Sequence, residues 1–96
     1  MNAAKRENEV IPLAMNFSKL LALLPGSQTI TDGDVKVFSL GQKEDLSTTM
    51  LVEKTIGQTR IDSIIQGGIK GKQYVVLFLI ETQDYKLEEP IVLIVK

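Results

Sequence analysis

The chain contains no cysteine, no histidine and no tryptophan. Without cysteine there is no disulfide, no thiolate nucleophile and no zinc–thiolate site. Without histidine it lacks the usual general base near neutral pH and the commonest metal ligand. Aromatic residues make up 5%, which is thin for stacking on single-stranded bases. Neither sign of charge dominates: 11 lysines and arginines against 12 acids leave a net charge of -1. The electrostatic pull on phosphate backbones or anionic lipid is therefore small, and neither nucleic acid nor membrane is expected as a partner. Lys5 and Arg6 precede an apolar run that Asn16, Ser18 and Lys19 interrupt and Pro25 stops. That run makes neither a signal peptide nor a membrane span, so intracellular synthesis is the expectation.

What is present suits one ordinary domain. The 96 residues are 44% apolar and 24% charged, and a chain of this length buries roughly 60–65% of its unfolded surface. Residues 1–9 are polar and aperiodic, which predicts a flexible N-terminal tail or, as the rival, an arm that orders against a neighbouring subunit. Residues 10–96 form the expected domain.

Ile11, Leu13, Met15 and Phe17 alternate with smaller or polar residues, as a half-buried strand does. Ser18 then offers a cap for at most one short helical turn through Leu24, ended by Pro25 and Gly26. Gln28–Thr31 reads as a short strand and Asp32-Gly33-Asp34 as a turn. Strand patterns resume over Val35–Leu40, Thr49–Thr55, Thr59–Gln66, Tyr74–Gln83 and Pro90–Lys96. Gly67–Lys72 reads as a tight hairpin turn into Tyr74. About six or seven short strands with turns roughly ten residues apart predict an all-β antiparallel sandwich or a partly open barrel.

One strand has a face too many. In Tyr74–Thr82, Tyr74, Val76, Phe78 and Ile80 form one apolar face, and Val75, Leu77 and Leu79 form another. The last strand repeats this, with Ile91, Leu93 and Val95 opposed by Val92 and Ile94. Small sandwiches normally bury one face per sheet. Either the segment Val10–Leu24 covers the second face, or Val75, Leu77, Leu79, Val92 and Ile94 are a candidate interface. Fully burying those five contributes on the order of 8–15 kcal/mol as an upper bound, against an association cost of about 4–15 kcal/mol.

No catalytic constellation stands out, and no cofactor, metal or small-molecule substrate is expected. Gly67-x-x-x-Gly71-Lys72 is one residue short of a phosphate-binding loop, has Gln73 where Ser or Thr is needed, and leads into a strand. Asp32 and Asp34 lack the further oxygens that calcium requires. Ser27, Thr48, Thr49 and Ser63 have no histidine to activate them.

The pattern Ile64-x-x-Gly67-Gly68-x-x-Gly71-x-x-Tyr74-x-Val76-x-x-x-Ile80-x-Thr82, closing with Glu89-x-Ile91-x-Leu93-x-Val95, resembles small Ig-like proteins of tailed phages and prophages. Gly26-x-x-Thr29-Ile30 is similar to their first turn and strand, and the likeness spans Gly26–Val95 loosely. The chain departs from that pattern in lacking a tryptophan near Phe17 or Phe38 and in having Asp84-Tyr85-Lys86 where a glycine-containing turn is usual. The resemblance implies an Ig-like sandwich and a non-enzymatic virion structural or assembly protein, a tail or fiber-tail adaptor component. It would be made in the host cytoplasm, incorporated in the virion, and partnered by itself as a homo-oligomer or by other virion proteins. The alternative is a peptide- or carbohydrate-binding module on the same scaffold, since exposed edges can add a strand.

Overall fold

Alternating burial along the strands sorts the chain into two sheets with a shared core. The computed structural model describes residues 2–96. Seven strands, β1 (Asn2–Lys5), β2 (Ile11–Asn16), β3 (Asp32–Ser39), β4 (Leu51–Ile56), β5 (Arg60–Ile65), β6 (Gln73–Glu81) and β7 (Lys86–Val95), are joined by two short helices, α1 (Ser18–Ala22) and α2 (Ser47–Met50). One sheet has the order β1-β7-β6-β3 and the other β2-β5-β4. All pairings are antiparallel except β1 with β7, which is parallel. This strand order, with the second, fourth and fifth strands in one sheet and the third, sixth and seventh in the other, is that of an immunoglobulin-like sandwich. The expected all-β sandwich is therefore the fold.

The core lies between the sheets. Tyr74, Val76, Phe78 and Ile80 of β6 and Ile91, Leu93 and Val95 of β7 face Met15, Ile61 and Ile65 of the opposite sheet, and all are buried. Each large side chain so buried contributes about 1.5–3 kcal/mol. In α1, Leu21 is buried while Leu23 is 81% exposed. Asn16 and not Ser18 caps its start, with the Asn16 carboxamide oxygen accepting the Ser18 amide at 2.9 Å. α2 was read from sequence as loop and strand, and so adds a second helical turn to the single one expected.

Three further readings are corrected. Residues 2–5 are not a flexible tail: they add to the sheet in parallel with Val92–Val95. Lys5 is 2% exposed, and its ammonium donates to the carbonyls of Arg6 and Gly67, each at 2.6 Å. Met1 lies outside the described residues.

Asp32-Gly33-Asp34 is strand, paired with Leu79–Glu81, whereas Gln28–Thr31 is irregular. Gly33 is needed there because a Cβ would come 3.0 Å from the Ile61 Cδ1 and 3.2 Å from that of Ile56.

Gly67–Lys72 is not a hairpin, because β5 and β6 belong to different sheets. It is a corner between the sheets. Gly68, at φ 92°, lets the backbone pass over the core, and a Cβ there would lie 2.7 Å from Val95 Cγ2. The Tyr74 hydroxyl accepts the Ile69 amide at 2.8 Å and closes this corner, in the manner of the tyrosine corner of Ig-like domains.

The β6–β7 hairpin turns without glycine. Thr82 supplies the geometry: its amide donates to the Tyr85 carbonyl at 2.8 Å, and its hydroxyl accepts the amides of Asp84 and Tyr85 at 3.3 and 3.0 Å.

Candidate interface

The register of β3, β6 and β7 fixes what the outside of the four-stranded sheet presents. Val75 pairs with Phe38 and Val92, Leu77 with Lys36 and Pro90, Leu79 with Asp34 and Glu88, and Gln73 with Ile94. Paired residues point to the same side of a sheet. Val75, Leu77, Leu79, Val92 and Ile94 therefore share one face, as the sequence suggested, and Phe38 and Pro90 extend it. All five are half-buried, as is Phe38. Phe38 was legible in the alternation of Val35, Val37 and Phe38, since the aromatic falls opposite the two valines.

The chain's own segments do not cover this face. The half-buried side chains packed on the core are Ala3, Ile11, Leu13, Leu20, Leu24, Leu46, Leu51 and Leu87, none of them from the outer face. Leu20, Leu24, Ile11 and Leu13, the candidates for intrachain cover, are spent on the inner core instead. The partial burial of Val75, Leu77 and Leu79 is what neighbours on one pleated surface give each other.

Charge is distributed unevenly along the face. Asp32, Glu81 and Glu88 lie toward one end, with Lys86 3.5 Å from Glu81. Arg6, Lys70 and Lys96 lie at the other end, beside Glu7 and Glu9. Lys36 sits in the middle, next to Leu77. Lys54 of β4 ion-pairs with Asp34 of β3 and ties the two sheets together. Partial burial pushes the Asp34 carboxyl up. The hydrogen bonds from Lys54 and the Val35 amide, with the charges of Lys54 and Lys36, outweigh that and hold it below the ordinary aspartate value.

The sheet edges are each closed by a different device. On β3 the outward amides of Gly33 and Val35 donate to the carboxylates of Asp32 and Asp34, each at 2.8 Å. The Val37 amide donates to the Ser47 hydroxyl at 2.9 Å, and the Val37 carbonyl accepts the Leu46 amide at 2.6 Å. Ser47 is itself held by Asp45, whose carboxyl is kept below the ordinary value by the hydroxyl and then the amide of Ser47.

On β2, the bond from the Phe17 amide to the Thr59 carbonyl turns odd-numbered residues toward β5, which leaves the proline nitrogen of Pro12 facing outward. β4 carries a register shift between Leu51 and Glu53. β1 is four residues long and directs the charge of Lys5 inward. Pro90 closes the stretch of β7 beyond the end of β1. Proline, bulges, short strands and inward charges all discourage strand addition.

Among the described residues, no three acids gather where a metal could be held, and no helix is long and apolar enough to cross a membrane. Asp32 and Asp34 are spent on strand amides. Ser63 donates to the Leu13 carbonyl at 2.7 Å. These side chains have structural partners.

The fold and this face together define an Ig-like sandwich with one unpartnered apolar sheet surface. Compared with protein-family models, curated proteins and solved structures, the chain matches none.

Proposed function

We propose that this is a non-enzymatic structural or assembly protein that works through protein–protein contacts on the outer face of the four-stranded sheet. The carrying observation is that Val75, Leu77, Leu79, Val92 and Ile94 share one face with Phe38, while the chain's own apolar segments pack elsewhere. A contiguous apolar patch rimmed by charge is what interaction surfaces have in common. The non-enzymatic reading is supported by a sequence without histidine or cysteine and by acids and hydroxyls engaged with backbone.

The resemblance of Ile64–Val95 to small Ig-like proteins of tailed phages extends the proposal to a virion tail or adaptor component. That extension rests on the sequence pattern, now given physical content by the corner of Gly67, Gly68 and Tyr74. Peptide capture by strand addition is less favoured, because the edges are blunted. Sugar binding is less favoured because Phe17, Tyr74 and Phe78 are buried, which leaves Phe38 and Tyr85 as the aromatics nearest the surface.

The virion reading is tested by the genes around the coding sequence. Capsid, portal or tail genes on its flanks are the expected finding, and a setting of metabolic genes alone would remove the virion part of the proposal.

A further inference from the structure

We infer that the occupant of this face is a second copy of the chain, bound face to face about a two-fold axis that crosses the strands between the levels of Val75 and Leu77. The inference rests on the face being an interaction surface, as proposed above. Three observations favour a second copy.

The first is charge. Acids gather at the Asp32, Glu81 and Glu88 end of the face, and at the opposite end Arg6, Lys70 and Lys96 outnumber Glu7 and Glu9. A two-fold axis across the strands lays each end over the opposite end of the other copy. An axis parallel to the strands would instead put acid on acid.

The second is apolar matching. With the axis between Val75 and Leu77, Val75 of one copy lies over Leu77 of the other and Val92 lies over Pro90. Lys36 comes over the Phe38 ring, where an ammonium is attracted to the aromatic face. An isologous contact of this kind uses the same patch on both subunits.

The third is size. Outward residues repeat about every 6.7 Å along a strand and strands lie about 4.8 Å apart. The levels from Gln73 to Leu79 therefore give a patch of roughly 300–400 Å² per copy. Twice that area is well below the roughly 1,600 Å² of a standard stable interface. The pair is accordingly weak, with a dissociation constant of roughly 0.1–1 mM.

Sedimentation equilibrium of the full chain from about 10 μM to about 1 mM spans that range. The wild type is expected to shift from monomer toward dimer, and Leu77→Glu to stay monomeric with an unchanged melting temperature. Val52→Glu, on the exposed face of β4 (Val52 is 50% exposed), is expected to dimerise as the wild type does. Glu88→Lys or Lys96→Glu alone should weaken the pair several-fold, and the two together should restore it.

A wild type monomeric throughout, with Leu77→Glu melting normally, overturns the second-copy inference and leaves the face to a different partner. A Leu77→Glu monomer that melts far below the wild type overturns the interaction-surface reading as well, because the face would then be part of the chain's own packing. Dimers without rescue by the double charge reversal overturn the orientation of the axis.

Discussion

The hydroxyl of Tyr74 accepts the amide of Ile69 at 2.8 Å, joining the first buried residue of β6 to the corner that delivers it. The ring is 2% exposed, so the bond is shielded from water. Tyr74→Phe keeps the ring and removes the acceptor. Leaving a largely buried amide unsatisfied costs about 1–3 kcal/mol. Urea titration should show the midpoint falling with an unchanged slope, and a fall within error would show that water replaces the hydroxyl.

The corner glycines are expected to differ from other glycines. Gly68 and Gly41 both have positive φ, but a Cβ on Gly41 meets open space and one on Gly68 meets Val95. Gly41→Ala should cost about 1–2 kcal/mol from backbone conformation alone. Gly68→Ala adds a core clash and should cost about 1–3 kcal/mol more. Paired thermal melts of the two variants isolate the difference.

Lys5 ties β1 to the same corner through the Gly67 carbonyl, and the Lys5 carbonyl accepts the Lys96 amide at 2.8 Å. Lys5→Met keeps the stem and removes the donors. The expected result is faster hydrogen exchange at Ala4, Ile94 and Lys96, with the amides of Val76 and Phe78 still protected, because edge elements open below the global unfolding energy. Uniform loss of protection would mean that β1 and the core open as one unit.

Acid should weaken the fold through Asp34 and Asp45. Both carboxyls are held below the ordinary aspartate value in the folded chain, so the folded state binds these protons more weakly than the unfolded state. The stability they contribute is present above the unfolded value of about 3.9 and is lost as pH falls through the folded values. Melting temperature should therefore decline as pH drops below about 4. Asp34→Asn with Asp45→Asn should be less stable near neutrality and show a flatter decline. An equally steep decline in that variant would assign the acid sensitivity to other groups.

Removing the carboxylates that occupy the β3 amides should make the edge adhesive. Asp32→Ala with Asp34→Ala frees the amides of Gly33 and Val35. Thioflavin fluorescence on agitation should rise sooner than for the wild type, because an unpaired edge templates strand addition.

Much of this was legible in the residues. The two apolar faces of β6 and β7 were visible as uninterrupted apolar runs, and they locate both the core and the outer patch. Strand partners were not visible. Glycines at 67, 68 and 71 signal a turn, but period-two patterns do not say which sheet the next strand joins, so an inter-sheet corner reads as a hairpin.

Asp32-Gly33-Asp34 reads as a turn because aspartate bonds nearby amides. It does so here, to Gly33 and Val35, on an extended backbone stabilised by pairing with β6. β1 was hidden because its partner, β7, lies some ninety residues away and because a lysine occupies its most buried position.

The closed edges set how far assembly can go. An open edge makes a two-sided unit: each molecule that joins offers a fresh edge to the next, and the product is a filament of any length. Here the means of sticking is confined to a single flat face, which gives the molecule a valence of one. Raising the concentration then increases the number of pairs and leaves their size unchanged.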